Sequence, residues 1–116
     1  MTRRRFAVLL AALAATTAAG CGGSDPLSSA PVATTQVELP KSYRFEPAVI
    51  QVDPGAKVTW ENDDNFTHTI RFDGDSETAK LEPGDSYSRT FPDAGTFHYV
   101  CTLHPQDMEG EVRVGQ

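Results

Sequence analysis

From residue 37 onward, apolar and polar residues alternate in short runs with a period of two, and Gly, Pro and Asp separate the runs. A period of two sends successive side chains to opposite faces of a strand, so each run reads as a strand with one face inward. Residues 43–52 read as one or two strands bent at Glu46 and Pro47, followed by a turn at Asp53, Pro54 and Gly55. Residues 57–61 (KVTWE) turn Val58 and Trp60 inward, and residues 67–72 (THTIRF) put His68, Ile70 and Phe72 on one face. Turns at residues 73–75 and 83–85 flank the next segment, and a strand at residues 86–91 follows. Phe97, Tyr99 and Cys101 then share a face, and Val112 and Val114 belong to the last strand. No stretch of the domain carries a helical period. Short strands at this spacing predict an all-β sandwich of about seven to eight strands.

Two positions cut across the alternation. Arg89 shares parity with the apolar Tyr87 and Phe91, for which the sequence offers no reason. His98 falls on the face opposite Cys101 and reads as a surface histidine.

The pattern also locates the chemistry. Between Phe97 and Val114 a thiol (Cys101), an imidazole (His104) and a thioether (Met108) lie within eight residues. Thiolate and thioether suit Cu(I) and imidazole suits both oxidation states, so two His, one Cys and an axial Met make a blue electron-transfer site. The second histidine is His68, whose parity sends it inward like Cys101. Each residue alone has a plainer reading, a small buried hydrophobe for Cys101 and a hydrogen-bonded core histidine for His68. The four together, with Met108 the only methionine besides the initiator, point to copper. Four protein ligands leave no open position for a substrate, so the chain is expected not to be an enzyme. Residues 73–77 (DGDSE) lack the spacing of a calcium loop and read as an acidic turn.

Composition narrows the partners. The 116 residues suffice for one small domain, and 39% hydrophobic content is ordinary for a globular chain. The net charge of −6 includes Arg3, Arg4 and Arg5; without them 7 basic face 16 acidic residues, about −9. Such a surface excludes nucleic acid, which needs net Lys and Arg, and favours a redox protein with a basic face. The domain is expected to be a monomer.

Residues 1–20 have the basic start, apolar run and small-residue exit of a secretory signal, with T2-R-R-R-F6 resembling a twin-arginine motif. Residues 18–21 (AAGC) resemble a lipobox, which would make Cys21 an acylated first residue and anchor the chain in the cell envelope. Residues 22–36, rich in Gly, Ser, Pro, Thr and Ala, read as a flexible tether, and the domain is expected over residues 37–116.

One ordered set of motifs spans that domain: Y-x-F-x-P (Tyr43, Phe45, Pro47), V-x-P-G (Val52 to Gly55), V-T-W-x-N (Val58 to Asn62), His68, G-T-F-x-Y-x-C (Gly95 to Cys101), His104-Pro105 and M-x-G (Met108 to Gly110). In this order it resembles the cupredoxins, and within them the plastocyanin and amicyanin branch. The resemblance implies a Greek-key β-sandwich holding one type 1 copper, with His68, Cys101 and His104 around the metal and Met108 on the axis. It also implies that Thr69 and Thr102 tie the two ligand segments together by hydrogen bonds, and that the electron leaves at the His104 edge beside Leu103 and Pro105. The sequence departs from the branch in one respect. Three residues separate His104 from Met108, where amicyanins usually have two and plastocyanins four, so an extra residue is expected to bulge there. Gln106 is the weaker candidate for the axial position.

The function expected is one-electron transfer between envelope redox partners. The alternative is a periplasmic protein that binds or delivers copper, although no Met-rich or His-rich tract favours it. An accessory domain of a multicopper enzyme has too few histidines in support, and a metal-free relative is opposed by the intact ligand set.

Overall fold

The computed structural model describes residues 25–116. The proposed export signal, its twin-arginine and lipobox motifs, Cys21 and the start of the tether lie outside the described residues. Nine strands follow a short 3-10 turn at Pro26–Ser28: β1 (Val32–Ala33), β2 (Gln36–Leu39), β3 (Val49–Val52), β4 (Ala56–Asn62), β5 (His68–Phe72), β6 (Ala79–Leu81), β7 (Ser86–Phe91), β8 (Gly95–Val100) and β9 (Glu109–Val114). They form two sheets, one of six strands in the order β1-β3-β9-β8-β5-β6 and one of three in the order β2-β4-β7. The predicted all-β sandwich is therefore what the chain adopts. No helix among the described residues is long and apolar enough to cross a membrane.

The core lies between the sheets and is built by the alternation. Val58 and Trp60 from β4, Ile70 and Phe72 from β5, Tyr99 from β8 and Val112 and Val114 from β9 are all buried. Trp60 is its centre. Phe72 and Tyr99 meet its ring edge-on at 5.7 and 5.4 Å, and Tyr87 lies tilted at 5.7 Å. Such aromatic pairs add about 0.5–1.5 kcal/mol each beyond the area they bury. Arg89 now has a physical account. Its guanidinium lies 4.3 Å from the centroid of Phe72 and bonds Asp75 at 2.7 Å, closing the core where β7 forms the sheet edge.

Three expectations change. Composition predicts that residues 26–36 belong to a flexible tether. Instead, β1 pairs in parallel with β3, Val32 opposite Ile50, and β2 begins at Gln36. Both residues of β1 are exposed, so a strand this short leaves no burial pattern to read. The strand count rises to nine because β1 and the three-residue β6 were too short to register. Residues 43–48 are not a continuous strand either. Only Glu46 pairs, exchanging two 2.8 Å backbone hydrogen bonds with Glu38, and regular pairing resumes at Val49.

Candidate metal centre

The site begins with a polar residue on the core face of a strand. In β4 the inward parity of Val58 and Trp60 continues to Asn62, which is fully buried. Its Nδ2 donates to the carbonyls of Phe66 (2.9 Å) and Leu81 (3.0 Å), and its Oδ1 accepts the Asp64 amide (2.9 Å). These bonds shape the loop between β4 and β5. The loop turns Asp64 inward, so that its Oδ2 accepts a hydrogen bond from His68 Nε2 at 2.9 Å, while its Oδ1 accepts the Asn65 amide at 2.7 Å. The bond from His68 is the main force holding the Asp64 carboxyl below the usual range; burial opposes it without prevailing.

His68 is fully buried at the start of β5, and its Nδ1 lies 3.9 Å from Cys101 Sγ. β5 pairs with β8 through Arg71 opposite Val100, and beyond that pair Thr69 meets Thr102 by hydrogen bonds. Thr69 Oγ1 accepts the Thr102 amide at 2.7 Å, meets the Thr102 hydroxyl at 2.7 Å and reaches Cys101 Sγ at 3.6 Å. The two segments are thus clasped where the thiol and imidazole meet. Cys101 is a free, buried thiol. Burial pushes its pKa up, but the Thr69 amide, the His68 ring, the Thr69 hydroxyl and the Leu103 amide together bring it below the ordinary thiol value. A buried thiol poised toward thiolate is what a soft cation selects.

The segment after Cys101 folds into one compact turn. The His104 amide donates to the Cys101 carbonyl (3.2 Å), and the His104 carbonyl accepts the amides of Asp107 (3.1 Å) and Met108 (2.8 Å). The extra residue between His104 and Met108 is taken up inside this turn. The Cys101 amide bonds the Met108 carbonyl at 2.9 Å, so both ends of the turn are tied at its neck. Met108 is fully buried, whereas Gln106 and His104 are exposed. The pairing of a buried thiol with a buried thioether fits a copper ion better than it fits a hard cation.

Tyr43 closes the outer side. It is the only non-glycine among the described residues with positive φ (51°), a left-handed conformation that costs a bulky residue roughly 1–3 kcal/mol. Its ring meets His104 edge-on at 4.9 Å and His68 at 5.9 Å, and stacks on Phe66 at 5.7 Å. Tyr43, Phe66 and Leu103 are three of the four exposed large hydrophobics among the described residues; Leu103 precedes His104, Tyr43 meets its ring, and Phe66 stacks on Tyr43.

The four sequence-predicted residues therefore stand in two relations. His68 and Cys101 touch; His104 and Met108 join them through the backbone of the turn and the ring of Tyr43. Among the described residues no three His, Cys, Asp or Glu side chains gather closely enough to hold a metal by themselves. His68, Cys101 and His104 are thus not gathered into such a group; only His68 and Cys101 touch, and His104 stands at the surface. Sequence reasoning missed Asn62, Asp64 and Tyr43. A polar Asn62 at core parity before an acidic loop is a usable signal; Tyr43 enters the sequence reading only as part of the Y-x-F-x-P motif, with nothing to place it at the site.

Comparison with known proteins bears on the family and the fold. The profile of copper binding proteins of the plastocyanin/azurin family matches residues 32–115. The chain is 34% identical over 115 residues to amicyanin-alpha of Methylorubrum extorquens, covering 94% of this chain and 95% of that one. It is 37% identical over 83 residues to plastocyanin of Scenedesmus fuscus, covering 60% and 85%. Among solved structures, the purple cupredoxin from Nitrosopumilus maritimus superposes with a TM-score of 0.62 at 26% identity, covering 69% of this chain and 98% of that one.

Proposed function

The chain belongs to the plastocyanin/azurin family of copper binding proteins, and on that premise we propose that it is a blue copper electron carrier holding one type 1 copper ion with His68, Cys101, His104 and Met108. The observation that carries this reading is the buried contact of His68 Nδ1 with Cys101 Sγ at 3.9 Å, with Met108 tied to Cys101 at the neck of the same turn. When bound, copper supplies a one-electron couple between Cu(I) and Cu(II). The protein's part is to keep the donors where they are in both states. Asp64 holds the His68 ring, the Thr69–Thr102 clasp holds the two segments together, and the hydrogen-bonded turn holds Met108.

His104 alone of the four candidate residues is exposed, with Leu103 before it in sequence, Tyr43 against its ring and Phe66 stacked on Tyr43. The electron passes there to a redox protein that docks on this face, guided by basic groups on the partner that complement an acidic domain. Export and acylation at Cys21 would hold the carrier at the envelope membrane. Adding Cu(II) to the purified protein should produce an intense thiolate-to-copper visible band and a reversible one-electron wave, and Cys101→Ser should abolish the band. Weak absorption in the wild type would overturn the type 1 assignment.

A further inference from the structure

Asp64 is a carboxylate where a neutral group would have sufficed. Its residue is 4% exposed, it bonds the ring of one candidate ligand, and among the described residues it makes no ion pair with Lys or Arg. Isolated buried charge is costly, so its presence calls for a compensating role. We propose that Asp64 is a positioning residue that also sets the redox preference of the site, by fixing the His68 proton on Nε2 and placing one fixed negative charge behind the ring. The inference rests on the copper reading above.

The positioning follows from the hydrogen bonds. An ionised carboxylate only accepts, so the shared proton belongs to His68 Nε2, and the Nδ1 lone pair is left facing Cys101 Sγ. The carboxylate cannot follow the ring if it turns. Its Oδ1 is held by the Asn65 amide and its own backbone amide by Asn62, which is bound in turn to Phe66 and Leu81. A second arrangement would leave a buried carboxylate unpaired.

The redox preference follows from charge. With a Cys101 thiolate and a divalent ion alone, the buried site carries one positive charge when oxidised and none when reduced. The Asp64 carboxylate moves both counts down by one, so the oxidised site becomes neutral and the reduced site carries one uncompensated negative charge. Low-dielectric surroundings penalise net charge, so the carboxylate favours the oxidised state and lowers the reduction potential. A neutral acceptor at the same place would fix the same ring proton without this bias. Both carboxyl oxygens act as acceptors, Oδ1 from the Asn65 amide and Oδ2 from the His68 ring, which is the arrangement of an ionised group.

The test separates the hydrogen bond from the charge. Asp64→Asn keeps an oxygen facing Nε2 and removes the charge. The blue band should persist and the potential should rise by at least 59 mV, a tenfold change in the oxidised-to-reduced ratio for a one-electron couple. Asp64→Ser, a second uncharged variant should the first not fold, should move the potential the same way. In the diamagnetic Cu(I) wild type, nitrogen-proton NMR should show a slowly exchanging proton on His68 Nε2, lost in Asp64→Ala. An unchanged potential in a blue Asp64→Asn protein would overturn the charge effect, and a wild type without that Nε2 proton would overturn the positioning. A wild type with no blue band would sink the copper reading itself, so the wild-type spectrum tells the two failures apart.

Discussion

A Cβ added to Gly110 would collide with Cζ and the hydroxyl oxygen of Tyr99, with Tyr99 Cε2 also inside contact distance at 2.8 Å. Tyr99 cannot retreat, because Phe45, Trp60 and Phe72 all press on its ring at 4.8–5.4 Å. The glycine of the Met108-to-Gly110 motif is therefore a packing requirement of the strand that leads to Cys101, not a demand of its own backbone, whose φ is not positive. Gly110→Ala should destabilise the protein by about 1–3 kcal/mol, the usual cost of overfilling a core. Denaturant melts would read this, and the cost should shrink when Tyr99→Leu is combined with it, since contacting residues do not add. A Gly110→Ala protein as stable as the wild type would mean that the Tyr99 ring has room to move. Among single residues, the sequence exposed those whose type is rare, Cys101, His104 and Met108. It hid those whose type is common. Asp64 resembles any acidic loop residue until Asn62 turns the loop inward, and Tyr43 resembles a strand residue until its left-handed backbone carries the ring over His104.

His98 shows what one residue does for three elements. It stands on β8; its Nδ1 meets Asp73 at 2.9 Å, just beyond β5, and its Nε2 meets Glu109 at 3.0 Å, at the start of β9. Partial burial pulls its pKa down, but the bonds to Glu109 and Asp73 outweigh it and the net shift is upward from 6.5. A histidine raised on folding stabilises the native state fully below its unfolded pKa, and that contribution is lost as pH rises through the folded value. Unfolding free energies should therefore show a wild-type advantage over His98→Gln at pH 5.5 that fades by pH 8.5. An advantage of the same size at both pH values would show that the bridge does not act through charge. His98 read as a plain surface histidine because alternation reports which face a residue is on, not what neighbouring strands bring beside it. The same limit hid the partners of Arg89, since Phe72 and Asp75 reach it from another part of the chain. Strands long enough to alternate, such as β4 and β5, were legible; β1, with two exposed residues, was not.

At the scale of the whole molecule, charge and apolar surface are divided between two tasks. All 16 acidic residues lie in the described part of the chain, against 7 basic ones. Four of those bases, Arg44, Lys80, Arg89 and Arg113, are already engaged with Glu46, Glu82, Asp75 and Glu111, so the field beyond the surface is negative. The face around His104 instead presents Tyr43, Phe66 and Leu103. In the proposed carrier, apolar contact over that face would set how close a partner's redox centre comes, while the net charge would set how often a partner arrives. Only the second depends on salt, over a screening length of about 10 Å at 0.1 M. The two can be separated with small one-electron reagents of opposite sign. Electron transfer from the reduced protein to a cationic metal complex should slow as ionic strength rises, and transfer to an anionic complex of similar potential should quicken. The two rates should converge in high salt, where only the approach to the His104 edge remains to distinguish reagents. Equal salt slopes for both reagents would mean that the electron leaves through a surface insulated from the molecule's charge, and a basic partner face would then have nothing to recognise.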